Sequence, residues 1–326
     1  MQASWHESTM PPPFYKLTCS SSCVWERALL MQVHPCPVCK LEVGLPRMVP
    51  KTALRAREEF LYFECEDCGC LFLPESDGSM EETEPVVEWT PKSGPAAFVR
   101  RLMAGLHLWP PYMKAACMGT GDLQIFNRAR LTKKTCLLDI GPGASVRVQG
   151  LREAGYDAHG LDVGSEESLA AVSRMMIGDK WPNDIPKMFD LIVLRHALER
   201  LPIQTLAIVN KHINLKGCCV ACVLLLGWAW RTYGTHWAQL NPPFHRLIHS
   251  STSFSLLARE SGFRIGRVVF DSNEGQIWSS DALQQNVPLT NMPTPTRSQR
   301  ARMRRIAEAL NLRQQGDSAQ FYLYAQ

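Results

Sequence analysis

Two cysteine pairs, CPVC at 36–39 and CEDC at 65–68, give the spacing C-x2-C-x25-C-x2-C. Four thiolates presented by two tight turns suit the tetrahedral preference of zinc. A closed four-sulfur site leaves no coordination position open for catalysis, so such a site is structural or a recognition surface. Cys36, Cys39, Cys65 and Cys68 are therefore the expected ligands, and Cys70 is a spare or a substitute for Cys68. A second constellation lies at 136–162, CLLDIGPGASVRVQGLREAGYDAHGLD. An apolar run ends in Asp139, the turn Gly141-Pro142-Gly143 follows, then a helix-like stretch, then a second apolar run ending in Asp162.

A glycine turn between a strand and a helix lets backbone approach a ligand closely and offers it the helix N-terminus. The dinucleotide-binding form of this turn needs GxGxxG, and Val146 stands at its third glycine. Asp139, two residues before the first glycine, would repel a pyrophosphate. S-adenosylmethionine has no phosphate and carries a sulfonium and an ammonium, both of which a nearby carboxylate attracts. Asp162, at the end of the second apolar run, stands where a carboxylate can accept both hydroxyls of a ribose. The plain alternative for either aspartate is a helix cap or a strand end.

These residues need a scaffold, and the chain supplies an alternating one. Strands are expected at 136–140, 157–162, 189–194 and 218–226, with helices near 144–154, 166–176 and 203–213. That alternation implies βαβ units and a parallel sheet. FRIGRVVF (263–270) and AQFYLYA (319–325) are expected as closing strands, each preceded by a helix. Residues 1–30 lack periodicity and are expected to be a poorly ordered extension. Residues 31–75 form the cysteine module, 76–115 a linker with a leading helix, and 116–326 the α/β domain.

Together CLLDIGPG…YDAHGLD, then FDLIVLRHALERLP (189–202), then the LKG turn before an apolar strand, resemble class I S-adenosylmethionine-dependent methyltransferases. The resemblance covers about 116–326 and implies a Rossmann-like, doubly wound, mostly parallel seven-stranded sheet. HPCPVCKLEVG…LYFECEDCGCLFLP resembles the zinc ribbon that precedes the catalytic domain in a subfamily of these enzymes. Three positions depart from the family pattern: Ser145 replaces a glycine, Arg200 replaces the histidine of the EHL triplet, and LKGCC lacks the proline of LKPGG.

By the same resemblance, Gly141, Pro142 and Gly143 line the cofactor's amino-acid end. Asp179, after a third strand, reaches the adenine amino group, with Asp184 as its competitor. Arg195 and His196 lie where substrate meets the methyl group. The stretch W…LNPPFHRLIHSS…GF resembles the family's insertion over the active site, which makes His245 the first candidate for proton removal and His196 and His249 the next.

Composition bounds the rest. The chain has 326 residues, 45% of them hydrophobic, and a net charge of +4, which permits an acidic partner without demanding one. The most apolar run, 217–230, is shorter than the roughly 20 residues a membrane helix needs. No secretory signal opens the sequence, and a cytoplasmic location is expected. Outside the two knuckles, the remaining cysteines among the twelve are expected to fill the core. The tail helix is expected to carry Arg297, Arg300, Arg302, Arg304, Arg305 and Arg313 around an apolar stripe of Met303, Ile306 and Leu310. The leading reading is methylation of a small molecule, such as a sugar or biosynthetic intermediate. RNA methylation through the ribbon and arginine face is the alternative. A non-catalytic ribbon module with a degenerate cofactor fold is the reading from another class.

Overall fold

The computed structural model describes residues 33–44, 46–50, 59–74, 120–178, 186 and 188–326. The extension, the linker with its leading helix, Asp179 and Asp184 lie outside the described residues.

The large sheet is built from β6 (Leu137–Ile140), β7 (Ala158–Leu161), β8 (Phe189–Arg195), β9 (Ile213–Leu224), β11 (Phe263–Phe270) and β12 (Ser318–Ala325). Its order is β11-β12-β9-β8-β6-β7, with β7, β6, β8 and β9 parallel and the β12–β9 and β11–β12 pairings antiparallel. The expectation of seven strands is corrected to six among the described residues. The third strand, expected just before Asp179, is not there: Glu166–Gly178 is one helix.

Alternation along the strands splits the core between two faces. Leu138, Ile140, Ile192, Leu194, Cys219, Ala221 and Val223 face one layer. It is covered by α3 (Glu166–Gly178), α4 (Thr205–Lys211) and α6 (Ser251–Glu260), through Leu169, Leu206, Val209, Phe254 and Leu257. Leu137, Leu191, Val193, Cys218, Val220 and Cys222 face the other, covered by α1 (Thr120–Arg128) and α2 (Ala144–Glu153), through Phe126, Val148 and Leu151. Burial on both faces explains why these strands appear in the sequence as unbroken apolar runs. It also bears out the core-filling reading of Cys218, Cys219 and Cys222. A short helix α5 (Trp228–Tyr233), then α7 (Glu274–Gln284) and α8 (Arg297–Leu312), complete the domain. On α8, Met303, Ala307 and Leu310 are buried and its five arginines are exposed, with Arg304 paired to Glu274 at 2.9 Å.

The cysteine module contributes β1 (His34–Pro35), β2 (Glu42–Val43), β3 (Pro46–Pro50), β4 (Glu59–Glu64) and β5 (Leu71–Phe72). β1 and β2 form a two-stranded antiparallel pair. β3, β4 and β5 form an antiparallel sheet whose fourth strand, β10 (Leu247–Ile248), comes from the α/β domain. The two modules therefore share one sheet. Among the described residues, no helix is long and apolar enough to cross a membrane.

Candidate functional site

The chain runs from β6 to β7 on one side, then returns to place β8 on the other side of β6. The β6/β8 boundary is thus a topological switch point, and ligands of open α/β sheets bind outside the carboxyl ends of the strands at such points. Asp139 and the glycine turn leave β6 there, and Arg195 and His196 leave β8 there.

The turn is tightly fitted. A Cβ on Gly141 would lie 2.4 Å from the Arg195 carbonyl oxygen, so only glycine lets the two strand ends approach this closely. Gly143 has φ 72°, a left-handed conformation that launches α2.

Asp139 is fully buried and is held by two arginines. Arg147, one turn into α2, donates from Nε at 2.8 Å and from Nη2 at 3.0 Å. Arg195 donates from Nε at 3.2 Å and lies over the Phe126 ring. Two guanidinium groups therefore face the Asp139 carboxylate, which the sequence reading did not anticipate. Asp139 lies in β6, near its carboxyl end.

Asp162 is equally engaged. Its Oδ1 accepts from the N–H groups of Gly143 (3.1 Å) and Gly164 (2.9 Å), and its Oδ2 from the N–H (3.2 Å) and hydroxyl (2.7 Å) of Ser145. Burial pushes its carboxyl up, but the bonds from Ser145, Gly164 and Gly143 outweigh it and hold the group below the usual range. Those four bonds fill the carboxylate's acceptor sites, so Asp162 cannot also take two ribose hydroxyls without releasing some of them. Ser145, the departure from the family's glycine, is the residue that ties this acid to the turn.

Across the turn lies a polar cluster, with Glu199 buried and the His196 side chain half exposed. His196 has φ 45°, unusual for a residue with a side chain, and its Nδ1 is 3.5 Å from Glu199 Oε1. Glu199 is buried, and its Oε1 also accepts from the Leu224 N–H at 2.6 Å. Burial works against charge on His196, but the Glu199 carboxylate outweighs it and raises the imidazole above the ordinary histidine range. Burial likewise disfavours the Glu199 anion, and His196 outweighs that, leaving Glu199 low.

His245 reaches this cluster from the loop after α5. The loop is pinned from behind, because the N–H groups of Arg246 (2.7 Å) and Leu247 (3.3 Å) both donate to the Glu199 carbonyl. His245 is buried, and its Nδ1 donates to the Gln239 carbonyl at 2.8 Å, which leaves the lone pair on Nε2. Burial, followed by the nearby Arg200, lowers it to about 4. Arg200, in place of the family histidine, lies over the Phe244 ring of the same loop. His249 is also lowered to about 4 by burial, and its Nδ1 is 3.1 Å from Ser253 Oγ. Among the described residues, Glu199 Oε2 and His249 Nε2 are buried without a hydrogen-bond partner, which is uncommon for buried polar atoms.

In the cysteine module, the sulfur atoms of Cys36, Cys39, Cys65 and Cys68 all lie within 4.8 Å of one another. Cys39–Cys65 is 3.5 Å and Cys36–Cys68 is 3.6 Å. Four thiolates each about 2.3 Å from a tetrahedral zinc would be about 3.8 Å apart, so the set fits that ion. Lys40 (φ 67°) and Gly69 (φ 70°) make matching left-handed turns after the two pairs. Cys70 Sγ sits 3.4 Å from Cys36 and 3.5 Å from Cys68, outside the mutually close four.

Residues 114–267 match a family model described as a methyltransferase domain. No curated protein matches the chain. Among solved structures, the chain is similar to a SAM-dependent methyltransferase from Archaeoglobus fulgidus (12% identity over 69% of this chain and 98% of that one, TM-score 0.39). It is also similar to one from Thiobacillus denitrificans in complex with S-adenosyl-L-homocysteine (15%, 70% and 98%, TM-score 0.35). A third likeness is to the mitomycin 7-O-methyltransferase MmcR (12%, 70%, TM-score 0.35), of which the chain spans only 60%. The family match rests on the segment that contains β6, the glycine turn, β8 and the histidine loop. That segment is similar to a methyltransferase domain, in line with the S-adenosylmethionine-dependent class that the sequence resembles.

Proposed function

We propose that the chain methylates a small polar molecule, a sugar or biosynthetic intermediate, bound between the glycine turn and the histidine loop. The observation that supports this best is the grouping of His196, Glu199 and His245 at the end of β8, whose Arg195 packs on Gly141. S-adenosylmethionine, bound at the turn, supplies a methyl group on a sulfonium. The chain's residues align the acceptor, exclude water and receive its proton.

Within this reading the two histidines divide the work. The Glu199 carboxylate faces His196 Nδ1 and raises its basicity, so His196 takes the acceptor's proton at Nε2. His245, neutral at pH 7, is too weak a base for that task. Its Nε2 lone pair instead holds an acceptor hydroxyl in line. This exchanges the order in which the sequence ranked them.

Within this reading the arginines at the turn orient the donor. Arg147, which shares Asp139 with Arg195, receives the carboxylate of the methionine end while Asp139 keeps Arg195. Zinc, in this reading, sits on Cys36, Cys39, Cys65 and Cys68 and has no part in the chemistry.

The test is transfer of a labelled methyl group into a cell extract. The His196→Ala variant should lose at least about 100-fold in rate. Transfer undiminished in that variant contradicts the assignment.

A further inference from the structure

The loop that carries His245 and His249 is not self-supporting. Its regular structure is the two-residue strand β10, and short pairings of this kind are marginal alone. Its partners lie in the cysteine module. Leu247 pairs with Phe72 and Ile248 with Leu71. The Leu73 N–H donates to the Arg246 carbonyl at 2.8 Å. The buried Tyr62 hydroxyl donates to the His245 carbonyl at 2.7 Å. Ser250 Oγ donates to the carbonyl of Cys68, itself a metal-ligand residue.

Packing repeats the pattern. Leu247 belongs to the apolar cluster formed by the knuckle cysteines, and Ile248 packs in one cluster with Tyr62 and Leu71. A Cβ on Gly69 would lie 3.2 Å from Ser250 Cβ, so the second knuckle turn sits directly against the start of α6. On its other side the loop bonds to Glu199 and, through the His249 carbonyl, to the Leu226 N–H at 2.8 Å.

We infer that the cysteine module is the floor of the acceptor site, and that Tyr62 and Ser250 are positioning residues which hold His245 and His249 in place. A module this small draws its folding energy from its metal, so metal loading sets the position of the histidine loop. The module is then a part of the catalytic domain and not a detachable recognition arm. The geometric inference stands on contacts alone; its meaning for catalysis rests on the proposed role of His245.

Hydrogen exchange on the full chain tests it, with zinc bound and after removal by a chelator. Without zinc, peptides covering 239–250 should exchange at least about tenfold faster, while those covering β6, β8 and β9 keep their protection. Tyr62→Phe, with zinc retained, should move the same peptides in the same direction. It should also shift the nitrogen-15 resonances of the His245 ring away from a single Nδ1–H tautomer. Unchanged protection at 239–250 in both samples overturns the inference, and so does an equal loss across the central strands. Binding of S-adenosylhomocysteine to the zinc-loaded protein tests the donor reading separately, so the two failures are distinguishable.

Discussion

Arg147 Nε lies 2.8 Å from Asp139 Oδ2, an ion pair at the base of the glycine turn. Arg147 reaches back across the turn from the first turn of α2, and its Nη1 also donates to the Pro142 carbonyl at 2.7 Å. The guanidinium thus lies against both the acid of β6 and the backbone of the turn.

Replacing Arg147 with methionine removes one of two cations from a fully buried carboxylate. Arg195 remains, so the cost should be on the order of 2 kcal/mol, read as a lower urea midpoint. The same variant should bind S-adenosylhomocysteine about tenfold more weakly, a loss of about 1.4 kcal/mol. It should bind 5′-methylthioadenosine, which lacks the amino-acid end, as the parent does. Equal weakening of both ligands contradicts the carboxylate assignment.

Gly141→Ala forces a Cβ against the Arg195 backbone at 2.4 Å. Backbone cannot yield as a flexible side chain does, so a loss on the order of 3 kcal/mol is expected in thermal or urea unfolding. Gly143→Ala meets only the Arg147 Nη1 atom, at 3.3 Å, and its cost is mainly that of its left-handed φ. It should therefore be the milder of the two.

The strands around the turn were legible because burial on both faces writes them as continuous apolar runs. The cysteine knuckles were legible because ligand spacing is local. The Asp139–Arg147 pair was not: the two are eight residues apart across a turn, and an arginine on a helix looks in sequence like a solvated charge. The link from Tyr62 to His245 spans 183 residues and has no local signature at all. The helix 274–284 was missed because EGQIWSSDALQ carries no clear apolar stripe; its start is fixed by Asn273, whose side chain caps Gly275 and Gln276. The missing third strand was carried over from the family pattern, and the residues before Asp179 proved to be helix.

Acid should destabilise the fold through the histidine loop. His245 and His249 titrate near 4 in the folded chain against 6.5 when free. Between those values the unfolded chain binds protons that the folded chain does not, so stability falls as pH drops from about 6.5 to about 4 and levels off below. Each histidine accounts for a loss on the order of 3 kcal/mol across that window. His196, raised by Glu199, acts oppositely: its stabilisation is lost as pH rises through its folded value. Urea titrations of His249→Gln should show a shallower acid slope than the parent. An unchanged slope contradicts the buried, neutral assignment.

Metal analysis of the purified chain should find zinc, retained by Cys70→Ser and lost from Cys39→Ser. Loss in Cys70→Ser with retention in Cys68→Ser would move the ligand set to the fifth thiol, which lies 3.5 Å from Cys68.

The central claim is that the bend between β6 and α2 holds an adenosyl sulfur compound by its amino-acid end. Titration calorimetry with S-adenosylhomocysteine measures this most directly. A single site with a dissociation constant in the micromolar range, weakened at least about tenfold in Arg147→Met, is the predicted result. No heat at hundreds of micromolar ligand, from a folded and zinc-loaded chain, would contradict it.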